Sequence, residues 1–108
     1  MIRLTEQLAQ NIVDKMMGVV PYNINIMDAK GVIIGSGDKS RLGQLHQGAV
    51  RAIQEEKLIL IDKNEDGAKP GVNMPIYFND TVIGVIGISG KPDEVQPFAD
   101  IVKVTAEL

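Results

Sequence analysis

Residues 35–49 read GSGDKSRLGQLHQGA and gather four glycines, two serines, one aspartate and two cations around His46, the chain's one histidine. Where such a stretch runs into a helix, the unpaired N–H groups of the first turn and the helix dipole form a seat for a carboxylate or phosphate. Gly35, Gly37 and Gly43 would let the main chain approach that anion, and the Arg41 guanidinium is a two-pronged carboxylate donor. His46 falls on the buried stripe of a helix read from Leu42. An imidazole there needs a partner or loses solvation of roughly 1 to 3 kcal/mol. One reading is an anion pocket under the helix start, built from Ser36, Gly37, Arg41, Leu42, Gly43 and His46, with the serine hydroxyl, main-chain amides, guanidinium and imidazole as donors. The other has Ser40 or Asp38 capping the helix, Arg41 solvated and His46 bonded to a backbone carbonyl in the core.

Three asparagines, Asn23, Asn25 and Asn73, fall in stretches that read as strands, where asparagine is depleted. A two-residue turn at Asn79 and Asp80 would set Asn73 opposite Ile86 and on one face with Gly84, where the glycine leaves a niche for ligand hydroxyls. Asn73 thus joins the candidate ligand-binding set, while Asn23 and Asn25 read as facing water on an outer strand.

Motifs for catalysis fail. GSGDKS lacks the third glycine of a dinucleotide fingerprint, and no GxxxxGK[ST] loop occurs. One histidine, no cysteine and no HExxH spacing give no zinc or iron centre. Ser36 and His46 have no evident orienting acid. The expectation is a protein that is not an enzyme, with no catalytic residue, metal or cofactor.

A chain of 108 residues with 44% hydrophobic and 23% charged residues fits one globular domain over 1–108. A net charge of -3 leaves no basic footprint for duplex nucleic acid. The N-terminal MIRLTEQLAQNIVDKMMGVV is interrupted by charges, unlike a secretory signal, and VIGVIGI is far short of the roughly 20 residues of a membrane helix. The expected setting is cytoplasmic, without a membrane partner.

Periodicity supplies the elements. Leu4, Leu8, Ile12 and Met16 recur every fourth residue and predict a helix over about Thr5 to Met17, closed by Gly18 and Pro21. Alternation from Tyr22, the DAKG turn and VIIGS predict a hairpin over 22–36. Leu42, Leu45, Ala49, Ala52 and Ile53 predict a second helix over Leu42 to Glu56. LILI at 58–61 reads as a short strand, DKNEDGAKPG as a loop, and VNMPIYF and TVIGVIGIS as a second hairpin, whose last strand is apolar on both faces and therefore central. A third helix starts near Asp93 to Gln96, buries Val95, Phe98, Ile101, Val102 and Thr105, admits Pro97 only in its first turn and meets no stop signal before Leu108. The sum is an α+β domain with a five-stranded antiparallel sheet and packed helices.

NINIMDAKGVIIGSGDKSRLGQLHQGA, GVNMPIYFNDTVIGVIGISGKPDEV and IVKVTAE together resemble the sugar-diacid recognition domain at the N-terminus of bacterial carbohydrate-diacid transcriptional regulators, over about Leu4 to Leu108. The matching stretches carry Ser36, Arg41, His46 and Asn73. The resemblance implies a PAS-like or GAF-like sensor fold that binds a sugar diacid such as glucarate or galactarate, or the related acid glycerate. It also implies control of transcription through a C-terminal helix-turn-helix region. That region is expected to be absent here, so DNA would be reached only through a missing C-terminal domain. The competing reading is a structural or dimerisation module without a small ligand, using TVIGVIGIS and the third helix. Pairing as a homodimer is expected on either reading.

Overall fold

The computed structural model describes residues 3–62 and 69–107; positions 63–68 of the expected loop, and Leu108 at the end of the expected third helix, lie outside the described residues. Helix α1 (Glu6–Met16) starts at Thr5, whose hydroxyl accepts the Leu8 N–H at 3.2 Å, and it turns Ala9 and Val13 inward. Strands β1 (Ile24–Asp28) and β2 (Ile33–Ser36) form the expected first hairpin. Helix α2 (Gln47–Glu55), strand β3 (Ile59–Ile61), strands β4 (Gly71–Phe78) and β5 (Thr81–Ser89), and helix α3 (Pro92–Glu107) complete the order.

The sheet runs β2-β1-β5-β4-β3, with every neighbouring pair antiparallel. Strand β5 is the central one, as its two apolar faces require. One face packs Ile24, Ile26, Val72, Ile76, Ile86 and Ile88 against Ala9 and Val13 of α1 and Val95, Ala99 and Val102 of α3. The other packs Met27, Ile33, Ile59, Ile61 and Val85 against Ala49 and Ala52 of α2. Alternation of side chains along each strand divides the two cores cleanly.

Three expectations are corrected. Helix α2 begins at Gln47 rather than Leu42, because residues 43–46 bond along the edge of β2: Gly43 N–H to Ile33 O, Ile33 N–H to Gln44 O and His46 N–H to Gly31 O, each at 2.9 Å. Gly43, at φ +87°, makes the turn that breaks the helical path, and Leu42 and Leu45 are left exposed. In the second hairpin, Asn79 and Asp80 form the expected tight turn, both at positive φ, but Ile83 is bulged, so Tyr77 faces Val82 and Ile76 faces Gly84. The register beyond the bulge slips by one, and Asn73 pairs with Gly87 instead of Ile86; Gly84 faces Leu4 on the opposite side of the sheet. Finally, α3 opens at Pro92, which puts Pro97 beyond the first turn on an exposed position and leaves Ile101 outside the core. No helix among the described residues is long and apolar enough to cross a membrane.

Candidate functional site

His46 is the N-cap of α2. Its backbone is extended, and its Nδ1 accepts the Ala49 N–H at 3.2 Å. An accepting Nδ1 carries no proton, so the neutral ring bears its proton on Nε2 and offers one donor outward. Burial holds the imidazole below the usual histidine value of 6.5, and the Arg41 charge adds to the effect. The N–H groups of Gln47 and Gly48, in the first turn, have no preceding helix carbonyl to bond. His46 is thus neither on the buried helix stripe nor bonded to a carbonyl through Nδ1: it marks the helix entrance.

That entrance rests on a polar row across the sheet. Ser36 pairs with Asn25, Asn25 with Gly87, and Gly87 with Asn73, so four neighbouring strands bring these residues into line on the α2 face. Asn25 and Asn73 are each only 2% exposed, so the outward-facing reading of Asn25 is overturned: β1 is an interior strand, and α2 covers that face. Ser36 Oγ donates to Asn25 Oδ1 at 2.5 Å, and Asn23 Nδ2 donates to the same oxygen at 3.2 Å. Asn73 Oδ1 is buried with no hydrogen-bond partner. Such an acceptor costs about 1 to 3 kcal/mol, which marks it as a group held for a ligand or water.

Helix α2 reaches Asn73 because Gly48 has no side chain: a Cβ there would lie 2.5 Å from Asn73 Nδ2 and 2.8 Å from Ile61 Cδ1. A cavity of about 10 Å³ lies at the end of the sheet where β1 and β4 begin and β5 ends, lined by Asn25, His46, Lys69, Gly71, Asn73, Gly87 and Ser89 among others. Its volume is about that of one water-sized group, so a larger ligand enters only if its walls part. Chemically it joins neutral and cationic donors at one side to paired amides at the other.

Of the residues singled out in the sequence, the structure brings His46 and Asn73 to this cavity. Ser36 stands one strand behind, with its hydroxyl donating to Asn25 and accepting the Asp38 N–H at 3.0 Å. Gly37 is pressed against Asn23 and Met17. Arg41 lies in a short 3-10 turn (Lys39–Arg41) capped by Asp38, whose bonds from Ser40 hold its carboxyl below the usual range. Arg41, Leu42 and Gly43 are outside the cavity lining. Lys69, Gly87 and Ser89 were missed by sequence reasoning; Asn25 stands out in the sequence as a strand asparagine but reads there as facing water, although its place between buried isoleucines marks an interior strand.

A hollow of about 740 Å³ lies at the opposite end of the sheet, over Leu4, Ile34, Val82 and Ile83, with Arg3, Glu6, Asp28 and Lys30 among its lining. Its charges are of mixed sign and it contains no buried unpartnered polar atom among the described residues, so it offers less to a polar ligand. No group of three or more metal-ligating side chains occurs among the described residues.

Comparison with known proteins gives the following. The family described as "Putative sugar diacid recognition" matches residues 4–108. The carbohydrate diacid regulator of Escherichia coli strain K12 is 38% identical over 109 residues, covering 97% of this chain and 28% of the regulator. An uncharacterized protein of Haemophilus influenzae is 43% identical over 112 residues, covering 99% of this chain and 30% of that protein. The chain therefore spans under a third of the length of these curated relatives. Among solved structures, the GAF domain from Acinetobacter phosphoenolpyruvate-protein phosphotransferase superposes with a TM-score of 0.67 at 12% identity, covering 94% of this chain and 77% of that one. The fold is thus GAF-like.

Proposed function

This chain belongs to the sugar diacid recognition family, and on that premise we propose that it is the ligand-sensing domain of a transcriptional regulator, binding a sugar diacid or related hydroxy acid such as glucarate, galactarate or glycerate. The observation that supports this most directly is Asn73: its amide oxygen is buried and unpartnered beside Gly87, and the residue lines a cavity together with His46 and Lys69. A carboxylate suits the His46 Nε2–H, the Lys69 ammonium and the free N–H groups of α2. The asparagine row suits hydroxyls. The domain acts by binding rather than turnover, works in the cytoplasm, and passes occupancy of the site to a DNA-binding part of a longer protein. Seating the acid parts α2 from the sheet, and that movement is the signal.

The test is a thermal melt of the purified domain with glucarate, galactarate or glycerate. Ligand at about 100 times its dissociation constant raises the midpoint by about 10 °C or more for a domain of this size. A selective rise with one acid supports the reading, and no rise with any of them overturns it.

The outer side of α3 favours a second role alongside sensing. Ile101 and Val104 are 56% and 62% exposed, and they form an apolar stripe suited to pairing with a second copy of the chain. Ile101→Glu with Val104→Glu is expected to shift a dimer to monomer in sedimentation velocity. A wild-type chain that sediments as a monomer removes this role.

A further inference from the structure

Resting on that reading of the cavity, we propose that the Asn25–Gly87–Asn73 row reads a hydroxyl of the ligand, so that the site selects hydroxylated acids over the same carbon chain without hydroxyls. The ladder sets Asn25 and Asn73 on either side of Gly87, two strand spacings apart, or roughly 9.5 Å between their Cα atoms. Asn25 Oδ1 already accepts from Ser36 Oγ and Asn23 Nδ2, so what that amide offers is its Nδ2 donor pair. Asn73 presents an unpartnered acceptor, Oδ1, to the same gap. Gly87 keeps the gap open: a Cβ there would stand 3.2 Å from Asn73 Oδ1 and 3.1 Å from Met27 Cε.

A gap with a donor on one side and an acceptor on the other discriminates by chemistry. A carboxylate oxygen only accepts; it satisfies Asn25 and sets its lone pairs against Asn73 Oδ1. An ammonium only donates and meets the opposite conflict. A hydroxyl accepts from one amide and donates to the other, and a cavity of about 10 Å³ matches its size rather than that of a two-oxygen carboxylate. The ligand therefore sits with a hydroxyl over Gly87 and a carboxylate toward His46 and Lys69. Removing the hydroxyl leaves the Asn25 Nδ2 and the Asn73 Oδ1 without a partner, and sites built this way reject the deoxy analogue far more strongly than an apolar pocket rejects a missing methylene.

The experiment is isothermal calorimetry on the wild-type domain with two matched pairs, galactarate against adipate and D-glycerate against propionate. At least one hydroxylated acid is expected to bind about tenfold or more tightly than its partner, the loss expected for at least one buried hydrogen bond. Asn73→Leu is expected to weaken the hydroxylated acid by at least that factor and leave the other acid at its wild-type affinity. Equal binding of the two members in every pair that binds overturns the proposal and leaves the carboxylate reading standing. Binding of none of the four, with no rise in the melt for glucarate, overturns both. An Asn73→Leu chain that loses both acids alike also overturns the proposal, and Asn73→Ser takes its place if the leucine variant does not fold.

Discussion

The Nδ1 of His46 accepts the N–H of Ala49 three residues on, at 3.2 Å, so the residue that opens α2 is also one that lines the cavity, with its Nε2–H uncommitted to the cap. Histidine is an uncommon N-cap, since serine, threonine, aspartate and asparagine do the same work with a shorter reach. Its use here couples the stability of the helix start to the protonation of one imidazole.

Capping and ligand binding separate by substitution. His46→Ala is expected to lower stability by about 1 kcal/mol, the usual cost of a lost N-cap. His46→Asn, which can accept the same N–H, is expected to retain wild-type stability while weakening the acid through loss of the Nε2–H. Urea denaturation and calorimetry on the two variants check this, and equal acid affinity in wild type and His46→Asn removes the imidazole from the ligand's contacts.

The same bond sets a pH dependence. In the folded chain, burial lowers the tendency of His46 to protonate, and protonation of Nδ1 destroys the cap. The unfolded chain, with histidine near 6.5, takes up its proton first as the pH falls. More protons on the unfolded state means that stability falls as pH drops through and below 6.5 and is insensitive to this group above it. Urea midpoints from pH 5 to 8 are expected to fall more steeply on the acid side for wild type than for His46→Asn. Parallel profiles would show that the group does not titrate as its burial implies.

The architecture was open to sequence reasoning because its two periodicities are strong: every fourth residue in α1, every second in β1, and a doubly apolar β5 flanked by turn residues. The start of α2 was not. Leu42 and Leu45 stand at helical spacing, yet the backbone of residues 43–46 finds its partners on the edge of β2 at Gly31 and Ile33, a non-local competition that local spacing does not register. Gly43 was the available sign. The candidate site was half legible for a related reason. His46 and Asn73 stood out by type, but the row that joins Asn73 to Asn25 depends on the bulge at Ile83, and a slip of one residue changes every partner beyond it.

Gly48 gives a prediction opposite in sign to helix propensity. Glycine to alanine in a helix ordinarily gains up to about 1 kcal/mol. Here the new methyl would collide with the Asn73 amide and Ile61, both on the sheet beneath. Gly48→Ala is expected to destabilise by about 1 to 3 kcal/mol in urea unfolding and to abolish acid binding. A stabilised variant would mean that α2 does not lie against Asn73.

At the far end of α3, Glu107 accepts the Tyr77 N–H at 2.8 Å and pairs with Lys103, whose ammonium also donates to Pro75 O and lies 4.9 Å from the Tyr77 ring centre. Tyr77 sits at the bulge, where Glu107 takes up its N–H. Glu107→Ala is expected to cost about 1 kcal/mol and to speed amide exchange at Tyr77 more than at Val72. Unchanged exchange at Tyr77 would count against this clamp.

Asn73 carries the sharpest trade between stability and function. An amide only 2% exposed with an unpartnered oxygen costs free energy in the empty domain, and nothing in the packing of Ile59, Ile61 and Ala52 around α2 calls for a polar group there. Leucine has the same branching at Cγ with no polar atom to satisfy. Asn73→Leu is therefore expected to raise stability by about 1 to 3 kcal/mol, the cost of the unpaired group it removes, while it weakens the hydroxylated acid. A residue kept for folding would show the reverse, a loss of stability on substitution with affinity following only as the fold is lost. Chemical denaturation of wild type and variant without any acid separates the two, because it reads the burden of the orphaned oxygen before a ligand can relieve it.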